Sequence, residues 1–369
     1  MLYIKVLILL LIYFSTKVTK KTLQTRIINL YFLFIIFSCI YSGVFNQQNI
    51  FKTFFLSYDY YGILTFFLCY KYKISSNEIP KLVKIISIIF CCCYIIQWII
   101  QPISLFSGST DEVNINDDQF RMRMPGSICA YALYFLGINQ FLLSKKKSYL
   151  LLSFLSFIPI IIMGFRSLTI LLLFSTIIII IFITKKVKSS LFFIAIGSII
   201  LILSANKISF INNKIQEMKE RQEGNQTFSN DNYIRWIELA YYHEEVFTKP
   251  GEKFFGGGFP NNKNSNYVKK INDAIDNNLY WVDLGLIGLS YIIGIPTVLL
   301  FIYLIIRCIK NCRNPEDQYI RFTLLTVLLG SIITSMEIYR TGNMLIIGLF
   351  LYYEYITSQS PPKTASVVS

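Results

Sequence analysis

Five arginines carry the strongest chemical signal in this chain: Arg121, Arg123, Arg166, Arg235 and Arg340. Four of them sit in short polar turns between apolar runs, and Arg235 sits in a long polar segment. Most other basic residues are lysines in clusters. A lysine near a helix end can snorkel to water and needs no partner. Arginine is the better residue for holding phosphate or carboxylate through two parallel hydrogen bonds. Arg166 is the sharpest case, because the stretch IIIMGFRSLTILLLF sets it between two apolar runs. A charge that close to hydrocarbon marks a functional site by default. Plainer roles stand beside this one. Arg166 could be an interfacial anchor, Arg340 an i,i+3 partner of Glu337, and Arg121 and Arg123 neutralisers of Asp111, Glu112, Asp117 and Asp118. As a set at a membrane face, the five suit an anion at headgroup level, such as a lipid-linked diphosphate. When a sugar leaves that diphosphate, negative charge grows on the leaving oxygen, and fixed guanidiniums stabilise it without protonation.

Proton transfer needs a second kind of residue. By chemistry the candidates are His243, which is the chain's single histidine, Glu238, Asp276 and Asp283. His243 lies beside Glu244 and Glu245, and a helix-surface residue is its default reading. No metal or cofactor is expected. The acidic loop FSGSTDEVNINDDQFRMR lacks calcium-loop spacing. The eight cysteines fall in apolar runs or in a Lys/Arg-rich loop, where a buried small hydrophobe is the default reading. Cys308 and Cys312 have no second Cys or His pair to complete a metal site.

The elements that position these residues follow from composition. Of 369 residues, 54% are hydrophobic and 15% charged, and the mean hydropathy is +0.52. That places the chain among polytopic membrane proteins and away from soluble domains. Eleven apolar runs are expected to span a membrane: 2–15, 27–43, 54–70, 82–101, 127–143, 149–163, 168–184, 191–203, 279–306, 322–335 and 344–356. The first is read as an uncleaved span, since its positive cluster follows the apolar run instead of preceding it. The formal charge of +14 resembles a nucleic-acid signal, but its distribution says otherwise. One set of loops carries eighteen Lys and Arg and the alternate short loops carry five. By the positive-inside rule the N-terminus lies outside, the C-terminus in the cytoplasm, and the basic balance reflects topology and anionic lipid.

The expected organisation is an N-terminal transmembrane bundle (1–204) with an outward loop at 102–126, a large extracytoplasmic loop (205–278), C-terminal transmembrane helices (279–357) and a cytoplasmic tail (358–369). The large loop holds ten acids and ten bases, so any function there rests on particular residues. A helix is predicted from Asn232 to about Phe247, with Asp231 as N-cap. Tyr233, Ile237, Ala240 and Tyr241 would share its packed face, and Pro250-Gly251 would end it. Gly256-Gly257-Gly258 is predicted to be a flexible turn. The chain then enters a membrane helix through Asp283 and Gly285.

In that segment the chain resembles the O-antigen polymerase and ligase superfamily of bacterial surface-polysaccharide assembly. Members have about a dozen spans and one large outward loop late in the sequence. The loop pattern is Arg then an aromatic, about twenty residues to Gly-x-Gly, and a return helix with an acid before Gly-x-x-Gly. Here these are Arg235-Trp236, Gly256 with Gly258, and Asp283-Leu284-Gly285-Leu286-Ile287-Gly288. Earlier matches are Arg123 to Gly126 and Arg166-Ser167. Ligases of the superfamily carry a histidine beside an Asn before the return helix. This chain has Asp276-Asn277-Asn278-Leu279-Tyr280 there, which favours a repeat-unit polymerase.

The resemblance implies an all-α, GT-C-like membrane glycosyltransferase in the bacterial cytoplasmic membrane. It would join undecaprenyl-diphosphate-linked oligosaccharide repeat units into O-antigen, capsular or exopolysaccharide chains. Arg166, Arg235, Arg340 and Asp283 would be catalytic, and Arg121, Arg123, Trp236, Gly256, Gly258, Asn278 and Tyr280 would bind substrate. Membrane lipids, a flippase and a chain-length regulator are the implied partners, with no nucleic acid. The alternatives are a ligase-type transferase and a lipid-linked oligosaccharide transporter or flippase.

Overall fold

The computed structural model describes residues 2–16, 18, 22–100, 103, 105–106, 124, 126–163, 166–184, 234–333 and 342–359. Among the described residues all regular structure is helical. The longer helices are α1 (Leu2–Ser15), α2 (Leu23–Phe45), α5 (Glu78–Ile99), α6 (Ile128–Ser144), α7 (Ser148–Met163), α8 (Arg166–Thr184), α13 (Ile295–Asn311), α14 (Gln318–Ile333) and α15 (Asn343–Gln359). Shorter ones are α3 (Ile50–Leu56), α4 (Thr65–Tyr72), α9 (Ile234–Tyr241), α10 (Pro250–Phe255), α11 (Asn266–Asp276) and α12 (Gly285–Ile293). Two of these, α2 and α5, are long and apolar enough to cross a membrane. The expected run at 191–203, most of the outward loop at 102–126, residues 205–233 and most of the tail lie outside the described residues.

The sequence pattern explains the packing. Helix α2 buries Ile28, Tyr31, Phe32, Ile35 and Cys39, which fall on one face at helical spacing. Helix α6 is buried without interruption from Ile128 to Asn139 and is the central element. A helix apolar all round must be surrounded, and α5, α7, α8 and α14 pack against it. Gly137 lets α7 approach closely, since a Cβ there would lie 2.3 Å from Ser153 Oγ.

Two apolar runs expected as single helices are interrupted. Run 54–70 becomes the end of α3, a 3-10 stretch Ser57–Leu64, and α4. Its Gly62 lies against the first turn of α15, where a Cβ would be 2.9 Å from the Leu345 nitrogen. Run 279–306 becomes a 3-10 turn Trp281–Leu284, then α12 and α13, divided at Gly294. Gly294 has φ +88°, which ends α12, and Pro296 reopens the helix two residues on. A break this deep must have its backbone groups satisfied by protein. Ser38 Oγ on α2 and the Gly258 N–H both donate to the Ile292 carbonyl, at 3.1 and 3.0 Å. The Gly257 N–H donates to the Tyr291 carbonyl at 2.7 Å.

Helix direction sorts the charges. Lys71 Nζ donates to Ser15 Oγ, Lys84 lies over the Tyr149 ring, and Asn139 donates to the Glu316 carbonyl. Arg307 pairs with Glu354, and Gln24 at the start of α2 donates to the Leu351 carbonyl. These contacts gather the basic stretches around Lys71, Lys84, Lys145 to Lys147 and Arg307 at one end of the bundle. The polar segment 234–284 caps the other end, where Asn46 after α2 donates to the Gly257 carbonyl.

Candidate functional site

The polar segment and the entry of α12 meet at Arg235. Its Nη1 lies 2.8 Å from Asp283 Oδ2 and 3.2 Å from Glu238 Oε2. Arg235 and Asp283 are each about one-third exposed, at 33% and 32%, whereas Glu238 is buried. Arg235 and Glu238 are one turn apart on α9, and the 3-10 turn aims Asp283 back at them. The second oxygen of Glu238 accepts the Tyr280 N–H at 3.1 Å. Glu238 therefore ties α9 to the approach to α12, and Tyr242 OH adds a bond to the Leu279 carbonyl at 3.1 Å. Burial raises the Glu238 carboxyl above the usual carboxylate range, while the Tyr280 N–H and the Arg235 guanidinium pull it back down.

The other predicted residues of this segment divide. Trp236 is 54% exposed beside Arg235 and offers a ring face to solvent. Asn278 adopts a left-handed conformation, φ +59°, and accepts a long contact of 3.5 Å from Tyr280 OH. The predicted packed face of the loop helix is corrected: Ile237 and Ala240 are exposed, and the buried positions are Glu238 and Tyr242. The chain winds as a π turn at Tyr242–Val246, and α10 begins at Pro250.

The three glycines are packed, and the flexible-turn expectation is corrected. All three are buried. Gly256 has φ +84° and ψ 154°, backbone that only glycine adopts readily, and a Cβ there would meet the Ile292 carbonyl at 2.4 Å. At Gly258 a Cβ would lie 2.4 Å from Ser42 Oγ. Gly256 and Gly258 thus let the loop backbone close the Gly294 break, and they present no side chain to a substrate.

Of the four candidate proton acceptors, Glu238 has both oxygens engaged. His243 contacts Tyr291 OH through Nδ1 at 3.3 Å and Lys253 Nζ through Nε2 at 2.9 Å. Asp276 is exposed at the end of α11. Asp283 alone is both partly open and held by an arginine.

Comparisons of the chain with family models, with curated proteins and with solved structures give no match.

Arg121, Arg123 and Arg340 lie outside the described residues, as does Glu337. Arg166 begins α8, and its side chain is not among those described. The elements around them do converge. Asn343, the first residue of α15, accepts the Ile128 N–H at 3.0 Å and donates to Ser127 Oγ at 3.1 Å. That joins the helix start following Arg123 to the one following Arg340. Gly285, two residues past Asp283, packs on the Ser331 and Ile332 carbonyls at the end of α14, where a Cβ would come within 2.6 Å of both. The return turn thus abuts the helix that leads to Arg340, and α8 packs on α6 and α14.

Sequence reasoning passed over four buried carboxylates, one of which, Glu252, lies in the first turn of α10. Asp59 lies in the 3-10 stretch against α15. Asp317 accepts from Tyr353 OH and from Asn314 Nδ2, the latter at 3.0 Å. Glu354 is met by Arg307 and Asn311. An acid inside an apolar run was the available signal in LSYDYYG and LYYEYI. Among the described residues no group of three or more His, Cys, Asp or Glu side chains is placed to hold a metal ion.

Proposed function

We propose that the protein is a membrane glycosyltransferase that polymerises lipid-diphosphate-linked oligosaccharide repeat units on the outer face of a bacterial cytoplasmic membrane. The observation that carries this reading is the half-open Arg235–Asp283 pair at the mouth of α12, beside helix ends leading to further arginines. The gathering of basic stretches at the opposite end supports the orientation with this mouth outward. The apolar runs support about eleven spans and the charge distribution an outside N-terminus and a cytoplasmic C-terminus, while a GT-C-like arrangement is what the resemblance implies.

In the proposed reaction an acceptor sugar hydroxyl, on an incoming lipid-linked unit, attacks the reducing-end anomeric carbon of the growing chain. The new bond is carbon to acceptor oxygen, and the bond that breaks is carbon to diphosphate oxygen. Asp283 takes the hydroxyl proton, with Arg235 fixing its orientation. The departing diphosphate keeps the electron pair of the broken bond, and Arg166 and Arg340 stabilise that charge. Arg121 and Arg123 hold the second lipid diphosphate, and Trp236, Asn278 and Tyr280 contact sugars.

Deleting the gene separates the classes. A polymerase deletion loses long surface glycans and keeps single capped units. Loss of every capped unit would indicate a ligase or a flippase instead, and unchanged long chains would refute all three.

A further inference from the structure

A pocket at the end of the bundle capped by the polar segment is lined by neither Arg235 nor Asp283. Its volume is about 230 Å³, and Phe45, Gln47, Lys249, Glu252, Asn266 and Lys270 are among its lining residues. That is below the roughly 300–1,000 Å³ of pockets that enclose drug-sized ligands, and suits one ring-sized group. Its floor is fixed. Glu252 is buried, accepts the Lys249 N–H at 3.1 Å and lies 3.6 Å from Lys249 Nζ. Tyr267, also buried, donates to the Gly258 carbonyl at 2.7 Å.

The rim is fixed as well. Gln48 Oε1 accepts the backbone N–H groups of Asn261 and Asn262, at 2.8 and 3.0 Å, and its Nε2 donates to Ser265 Oγ at 2.7 Å. Asn262 Nδ2 donates to the Gln47 carbonyl at 2.7 Å. This amide network holds Gln47 at φ +55°, a conformation that a residue other than glycine rarely takes, and leaves its side chain exposed. The turn after α2 and the start of α11 are thereby locked together before any ligand arrives, which lowers the ordering cost of binding.

The groups on offer suit one kind of ligand. Gln47 and Asn266 present exposed amides, which can donate and accept at once. Lys249 and Lys270 line it with ammonium groups held in place, Lys249 3.6 Å from Glu252 and Lys270 donating to the Glu245 carbonyl, and each ammonium keeps further N–H donors. Phe45 is 56% exposed at the edge. Paired amides, cations and an aromatic edge around a ring-sized space match the alternating hydroxyls and apolar faces of a sugar. We propose that this pocket is a glycan subsite, holding one sugar residue of the growing chain on the outer face, apart from the reacting bond. This rests on the glycosyl-transfer reading. A transferase that grips its product away from the bond being made keeps it for the next addition, so the subsite sets chain length.

Two measurements test it on the full-length protein. Asn266→Trp fills the pocket from its rim, and Lys270→Gln is a milder change for use if the first does not fold by melting in detergent. The first measurement is the surface-glycan length distribution on a gel. Chains several-fold shorter, with short polymers still present, support the subsite. A wild-type distribution from folded variants overturns it and leaves the polymerase reading intact. The second is binding of the oligosaccharide released by mild acid from the cell's own lipid-linked units to purified protein. A Kd at least ten-fold weaker in the variants than in wild type supports the subsite, and no binding by wild type overturns it. Because this probe has no diphosphate, Arg235→Lys should bind it as wild type does while losing polymer. Failure of polymerisation and failure of the subsite are thus read separately.

Discussion

Two arginine–carboxylate pairs sit at opposite ends of the bundle and differ most in burial. Arg235 and Asp283 are 2.8 Å apart, and both are about one-third exposed. Arg307 and Glu354 are 3.5 Å apart, with Glu354 only 1% exposed and Asn311 donating to the same carboxylate oxygen. The residue types are alike, so burial decides what each pair does. A buried carboxylate left without its partner is an uncompensated charge in a poor solvent, so the inner pair holds α13 to α15. A half-exposed pair adds little stability, about 0–1 kcal/mol. In the proposed reaction the Arg235–Asp283 pair meets the substrate, and Glu238 beneath it supplies the rigidity.

Breaking the inner pair should have the largest effect on folding. Arg307→Ala is expected to destabilise by about 3–5 kcal/mol, read as a lower melting temperature and poor recovery in detergent. A change under about 1 kcal/mol would show that the inner pair is as dispensable as an exposed one. Gly256→Ala comes next, at about 1–3 kcal/mol for the backbone strain, with the clash against the Ile292 carbonyl added. Increased proteolysis of the 234–284 segment would check it.

Glu238 gives a smaller, pH-dependent effect. Its folded carboxyl is raised above the unfolded value, so protonation favours the fold. The stability this contributes is fully present below the unfolded carboxylate range, about pH 4.3, and is lost as pH rises through the raised folded value. In Glu238→Gln the melting temperature should lose that part of its pH dependence. An unchanged pH profile would place the charge elsewhere. Smallest in stability is Arg235→Lys, within about 1 kcal/mol of wild type. Its loss of glycosyl transfer should nevertheless be of the order of 10²-fold, because Lys no longer fixes the Asp283 carboxylate in the geometry that takes the hydroxyl proton.

Much of this architecture was legible in the chain. The run 2–15 coincides with α1, and 149–163 and 168–184 differ from α7 and α8 by one and two residues at one end. Hydropathy reports apolar composition, which these helices carry along nearly their whole length. It is blind to backbone hydrogen bonding, so the Gly294 break and the 3-10 stretch at Ser57–Leu64 were read as continuous helix. Glycine composition alone suggested flexibility at Gly256 to Gly258, whereas close approach to Ile292 is what demands glycine. At the site, Arg235 and Asp283 were named from the loop pattern, and the structure brings them together. Glu238 as their support depends on a fold contact between α9 and Tyr280, 42 residues apart, which no local spacing encodes.

The central claim is that the Arg235–Asp283 mouth transfers sugars from lipid diphosphate, and purified protein can test it directly. The protein, in detergent or vesicles, is mixed with undecaprenyl-diphosphate-linked repeat units and no metal or nucleotide. The account predicts a ladder of glycan lengths from wild type, with undecaprenyl diphosphate released in step, and neither product from folded Arg235→Lys or Asp283→Asn. No ladder from folded wild type, or an equal ladder from the two variants, would contradict it.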